Sequence, residues 1–296
     1  MVIQHGYADV NGERLHYATA GSGKLMLFLH GFPDFWRIWR RQLEVFGRTH
    51  QVVAPDMRGY NLSSKPVDVH AYELPILVED IASLVDYFGH PTATVVGHDW
   101  GGVVAWEFAQ AHRERVERLV IINAPHPAVF RRELAHNAAQ QRASQYLLRF
   151  RSPRAEAVLS ANTFAVLTDS VVKPGRQQGY FTEEDANAYV TAWSQPGALT
   201  GALNYYRAAD FLPGMTLSDA VSDQAGEPLS GVVTTPTLVI WGEQDTVLLA
   251  GNLEGLEQYV PRVRIERVPD ASHAIIHEKP DLLNTLIHDF MEEKSK

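Results

Sequence analysis

Three residues in this 296-residue chain have the types and the order for covalent catalysis: Asp99, Asp245 and His273. A carboxylate is already ionised near neutral pH and needs no base before it attacks. On an acyl carbon it would form an anhydride, with no advantage over serine. On a saturated carbon it displaces an epoxide oxygen or a halide and leaves an alkyl ester, which water can cleave. Serine in that step would leave an ether that resists hydrolysis. His273 suits activation of the water, and Asp245 suits orienting the imidazole and stabilising its protonated form. Simpler roles compete. Asp99 could cap the helix that follows it, and a histidine among 13 could sit on the surface. Glu243 and Asp270 are rival carboxylates for the acid.

Positioning these groups requires specific elements. Thr92 to Val96 is a β-branched run without a polar break, as in a buried parallel strand. Val103 to Ala109 is apolar at helical spacing. Between them Gly97-His98-Asp99-Trp100-Gly101 reads as the glycine-flanked elbow that holds a nucleophile in strained backbone geometry. His98 within it reads as structural.

Around this unit the chain alternates. Residues 7–20 read as a hairpin turning at Asn11-Gly12, followed by strands at Leu25–Leu29 and Gln51–Pro55. A helix is expected over Leu74–Phe88, and further strands over 118–123, 237–241 and 262–268, with a closing helix over Pro280–Met291. This pattern predicts an α/β fold, a mostly parallel central sheet flanked by helices. From Ala128 to Phe211 the strand rhythm stops, which predicts a helical insertion, and residues 213–233 read as a polar connection. The expected division is a core of residues 1–127 and 213–296 with an inserted helical lid at 128–212.

Asp245 and His273 each follow a strand, so both can reach the carboxyl edge where Asp99 projects. Nucleophile, acid, histidine is the chain order of the α/β-hydrolase fold. Ester hydrolysis develops an oxyanion, which calls for backbone donors. The Trp100 amide is one, and the Phe32 amide, in the loop after the Leu25–Leu29 strand, is the other. His30, Pro33 and Trp36 are grouped with them as substrate-facing residues, although Pro33 could be a plain turn proline.

Composition narrows the classes. With 45% hydrophobic residues the chain can fill one large core. Its net charge of −9 and lack of a basic run argue against nucleic acid and anionic membranes as partners. Zero cysteines exclude disulfides, a thiol nucleophile and thiolate metal sites. No metal cluster or phosphate-binding glycine loop is legible, so no cofactor is expected. The start lacks a signal-peptide pattern and no run is long enough to span a bilayer, so a cytoplasmic protein is expected.

The segments His30-Gly31-Phe32-Pro33, Asp56-Met57-Arg58-Gly59-Tyr60, Ser63-Ser64-Lys65-Pro66, Gly97 to Gly102, Gly242-Glu243-Gln244-Asp245 and Ala271-Ser272-His273 together resemble the α/β-hydrolase-fold epoxide hydrolases. The resemblance spans nearly the whole chain. It implies conversion of an epoxide and water to a vicinal diol, and Phe32, Trp36, Trp100 and the lid aromatics suggest a small apolar epoxide. It also implies two lid tyrosines that bind and protonate the epoxide oxygen. Ser144-Gln145-Tyr146-Leu147 supplies Tyr146, and Asn204-Tyr205-Tyr206-Arg207 supplies Tyr206, with Tyr205 as its rival.

Haloalkane dehalogenases share the Asp, the His and a Trp after the nucleophile. They often carry Asn where this chain has Phe32. Fluoroacetate dehalogenases carry Arg where this chain has Trp100. Both departures favour epoxide over halide. A non-catalytic binder on the same fold is the remaining alternative.

Overall fold

The structure, a computed structural model, describes residues 2–209 and 231–293. Eight strands form one sheet: β1 (Gln4–Val10), β2 (Glu13–Ala20), β3 (Leu25–Leu29), β4 (Gln51–Pro55), β5 (Ala93–His98), β6 (Val116–Ile122), β7 (Thr237–Gly242) and β8 (Val263–Val268). Their spatial order is β1-β2-β4-β3-β5-β6-β7-β8. The hairpin β1–β2 and the β2–β4 pair are antiparallel, and every pair from β4 through β8 is parallel. The sheet therefore closes its antiparallel edge with the early hairpin and continues as an α/β sheet.

Continuous apolar runs build the central strands because both faces are covered. Leu25, Leu27 and Leu29 of β3 join one core layer with Val95, Leu119, Ile121 and Val239. That layer is covered by α2 (Leu74–Tyr87) and α3 (Trp100–Ala111), after α1 (Arg40–Phe46) in the chain. Met26 and Phe28 point the other way, with Val96, Ile122 and Ile240, onto Leu43 and Phe46 of α1. Each such side chain removed from water contributes about 1.5–3 kcal/mol, which fixes the face that each strand residue takes. β5 runs two residues past the expected end at Val96, because Gly97 and His98 still pair with Ile121 and Ile122 of β6.

Between β6 and β7 the described chain is helical: α4 (Pro127–His136), α5 (Ala138–Ala143), α6 (Tyr146–Arg151), α7 (Ala155–Leu167), α8 (Lys173–Gln177), α9 (Glu183–Trp193) and α10 (Ala198–Ala208). α7 is broken at Ala161–Phe164, where backbone angles leave the helical region. The expected polar connection at 213–233, like the expected boundary at 212, lies almost wholly outside the described residues. After β8 come α11 (Ile275–Glu278) and α12 (Pro280–Glu292), whose Leu283, Ile287 and Phe290 seal the second core layer. Among the described residues no helix is long and apolar enough to cross a membrane.

Candidate active site

Asp99 occupies the junction of β5 and α3 with φ 51° and ψ −124°, a conformation unfavourable for a residue with a side chain. The strain persists because close packing over-determines the turn. A Cβ on Gly101 would strike the backbone of Leu29 and His30, and one on Gly97 would strike Gly101. The Asp99 carboxylate makes no helix-capping bond to the first turn of α3, so the simpler capping role is not what holds it. Instead Oδ1 accepts the Phe32 backbone N–H at 2.8 Å, and the Trp100 amide is the other backbone group near enough to act on the carboxylate's titration. Burial raises the Asp99 pKa above the usual carboxylate value, against the opposing pull of His273 and these two amides.

Oδ2 of Asp99 faces His273 Nε2 at 3.7 Å, too long for a hydrogen bond and open to a reacting atom. On the other side of the ring, His273 Nδ1 meets Asp245 Oδ2 at 2.7 Å. Asp245 is buried, and its Oδ1 accepts the Val247 and Leu248 N–H groups, each at 2.8 Å. Burial would push its pKa up, but His273 and those amides hold it below the ordinary range. For His273, desolvation lowers the pKa, yet Asp245, then Asp99, outweigh it and bring it up to about 9. The rival carboxylates lie elsewhere: Glu243 pairs with Arg267 and Asp270 with Lys279 at the surface.

A cavity opens above Asp99, lined by Trp100, Val103, Phe130, Tyr146, Leu147 and Tyr206 among others, with about 410 Å³ of space not filled by protein, its open mouth included. Tyr146 sits at the start of α6 and Tyr206 near the end of α10, so two different helices bring their phenols to one wall. Burial, then the Asp99 charge, pushes both hydroxyls well above the usual tyrosine pKa, so both remain protonated. The Trp100 indole packs edge-on against the Tyr206 ring, with 5.1 Å between ring centroids. Tyr205 turns away and donates to the Arg58 carbonyl at 2.9 Å.

Two residues grouped with the substrate-facing set do not belong there. His30 is fully buried and spends both ring nitrogens on backbone, Nδ1 on the Gly31 carbonyl at 2.9 Å and Nε2 on the Met57 N–H at 3.0 Å. It organises the β3 loop and has no free group for a ligand. Trp36 packs edge-on against His5 of β1, 4.8 Å between ring centroids, and lines neither this cavity nor the next. The Phe32 ring contacts Tyr206 and Phe150, and with Pro33 it lines a smaller neighbouring cavity. His98 is buried and its Nε2 bonds the His273 carbonyl at 3.0 Å, a support for the loop carrying the imidazole.

Sequence reading missed Asn123 and Gly31. Asn123, in left-handed backbone at the end of β6, donates to Asp245 Oδ2 at 2.8 Å and accepts from the Gly242 N–H at 2.8 Å. The signal available was an asparagine closing an otherwise apolar strand. Gly31 leaves room for the Asp99 carboxylate, which a Cβ there would overlap.

The chain is similar to proteins of known family. Residues 24–280 match the alpha/beta hydrolase fold family. Epoxide hydrolase 4 of Mus musculus is 38% identical over 302 residues, covering 99% of this chain and 80% of that protein. The AB hydrolase superfamily protein YfhM of Bacillus subtilis is 38% identical, over 97% of this chain and 98% of its own length. A mutant epoxide hydrolase from Bacillus megaterium, solved with its naphthyloxy-propane-1,2-diol product, superposes with a TM-score of 0.90. It is 40% identical, over 97% of this chain and 100% of that one.

Proposed function

Because the chain belongs to the α/β-hydrolase family, and within it to the epoxide hydrolases, which act on ether bonds, we propose that it converts an epoxide to a vicinal diol through a covalent ester on Asp99. The observation that carries this reading is the meeting of one carboxylate and two phenols around a single cavity. In the first step Asp99 Oδ2 attacks a ring carbon while Oδ1 stays with the Phe32 amide. The C–O bond of the ring breaks, and the departing oxygen takes a proton from Tyr146 or Tyr206. An alkoxide is strongly basic and needs such a donor as it forms, whereas a halide needs only hydrogen-bond donors.

In the second step the proton on His273 Nε2 passes to the tyrosinate left by ring opening, and the neutral ring then takes a proton from water, which attacks the ester carbonyl. The oxyanion develops on Oδ1, which accepts the Phe32 amide at 2.8 Å, and the Trp100 amide is assigned as the second donor. Formation of the ester removes the Asp99 charge that helps keep His273 protonated, so the ring becomes a better base only once there is an ester to hydrolyse. Collapse releases the diol and restores the carboxylate. We assign the described residues 128–209 to a lid over a core of the described residues 2–127 and 231–293. The lining residues, mostly apolar and aromatic, suit an aryl- or alkyl-substituted epoxide, and the aryloxy diol bound by the Bacillus megaterium relative makes an aryl glycidyl ether the first probe.

The test is a single turnover of phenyl glycidyl ether in ¹⁸O-water. The first diol should carry no label, because its new oxygen comes from Asp99, and the label should appear on the Asp99 peptide. Label arriving at once in the diol would mean direct attack by water and would overturn the covalent route.

A further inference from the structure

Asp34, Tyr189 and His277 form a buried polar knot that the chemistry above does not use. The Tyr189 hydroxyl donates to Asp34 Oδ1 at 2.5 Å and lies 3.2 Å from His277 Nε2. Both Asp34 and Tyr189 are buried. A buried carboxylate is costly unless its partners are fixed, so such a group persists where its geometry matters. Burial alone would raise the Asp34 pKa, but His277 and the Tyr189 hydrogen bond bring it below the ordinary carboxylate value.

The three residues come from three elements, and two of those elements lead directly to the reacting groups. Asp34 closes the turn that contains Phe32, its N–H donating to the Gly31 carbonyl at 3.0 Å. His277 stands one helical turn beyond His273, its N–H bonded to the Ala274 carbonyl at 2.8 Å. Tyr189 belongs to α9, which is also fastened to the β3 loop and to the chain running from it into α1. Trp193 Nε1 donates to the Pro33 carbonyl at 2.7 Å, and Arg37 and Arg40 both bond Asp185. Rings of Phe35, Phe181 and Trp193 surround the Tyr189 ring and leave its hydroxyl one direction to point.

We propose that Tyr189 is a positioning residue that sets the Phe32 amide and the His273 ring in register with each other, through Asp34 on one side and His277 on the other. This inference rests on the covalent reading of Asp99 and His273. The Phe32 N–H is bonded to Asp99 before reaction, so loosening its turn costs most when the oxyanion forms and the contact must tighten. His273 must at the same moment face the attacking water. Both demands belong to ester hydrolysis, and the cavity that binds the epoxide contains none of the three residues.

The test is Tyr189→Phe, which keeps the ring packing and removes the hydroxyl. Ester formation and ester breakdown are followed separately by rapid quench with phenyl glycidyl ether and mass spectrometry of the Asp99 peptide. Breakdown should slow by about tenfold or more, a fraction of the 10²–10³ that loss of a whole oxyanion donor costs. The dissociation constant for the epoxide and the rate of ester formation should change little, the ester should accumulate, and KM should fall together with the breakdown rate. Asp34→Asn attacks the knot from the loop side and serves where Tyr189→Phe folds poorly. Together the two substitutions should slow breakdown no more than the stronger one alone, because they disrupt one unit. Unchanged breakdown in a folded variant, or equal slowing of both steps, overturns the positioning role. Absence of any ester in the wild-type protein is a different result, which defeats the covalent reading itself.

Discussion

Asp245→Asn is the substitution whose effect the structure specifies most closely. The Asp245 Oδ1 atom accepts two backbone N–H groups, from Val247 and Leu248. In asparagine the oxygen must stay there, which puts the amide NH₂ in the place of Oδ2. That position faces two donors, Asn123 Nδ2 at 2.8 Å and His273 Nδ1 at 2.7 Å. Asn123 cannot reverse its own amide without losing the Gly242 N–H that its oxygen accepts. The imidazole is the group that gives way: Nδ1 becomes the acceptor and the ring proton moves to Nε2, the atom facing Asp99. A ring protonated there cannot take a proton from water. Ester breakdown should fall about 10⁴-fold, the loss expected when a triad imidazole is held in the wrong tautomer, equivalent to about 5 kcal/mol of barrier. Ester formation does not use the histidine as a base and should stay within about tenfold of wild type. The assay is rapid quench with phenyl glycidyl ether, reading both the ester on the Asp99 peptide and the diol. Breakdown within tenfold of wild type would refute the argument, because the Asp245–His273 contact would then not be what makes His273 a base.

Three further outcomes follow from the same geometry. Tyr146→Phe and Tyr206→Phe should each slow ester formation, and the double variant should lose most of the roughly 10²–10⁴-fold that a positioned acid contributes; wild-type burst rates in both would make these residues packing groups. His273→Gln should accumulate an ester one substrate mass heavier on the Asp99 peptide, and an inactive but unmodified variant would move His273 to an earlier step or to structure. The folded-state pKa of His273 is raised to about 9 from 6.5, so its stabilising contribution is complete below pH 6.5 and is lost as pH rises through about 9. Chemical denaturation between those limits should show a decline of up to about 3 kcal/mol, absent in His273→Gln; an identical slope in the variant would remove His273 as its source.

The parts of this protein legible in sequence are those that local chemistry fixes. Asp99 between glycines, after a β-branched strand and before an apolar helix, announces an elbow because only that backbone needs glycine on both sides. Strands buried on both faces are written as unbroken apolar runs, and Asp245 and His273 each follow one, so chain order alone brings them to the edge where Asp99 stands. Long-range packing decided the rest. Tyr205 and Tyr206 are neighbours on α10, about 100° apart around the helix axis, and only the rotation of α10 against its neighbours sends one to Arg58 and the other to the cavity. His30 and Trp36 sit in a loop beside the site, yet one is spent on backbone and the other on β1, because unpaired polar groups and exposed rings find partners wherever the fold brings them. Asn123, Gly31 and the knot of Asp34, Tyr189 and His277 draw their meaning from residues far away in the chain, as when Tyr189 meets Asp34 from 155 positions on. No spacing rule connects such positions: a hydrogen bond is set by distance in space, and that distance is fixed only when the sheet, the loops and the helices above them have packed.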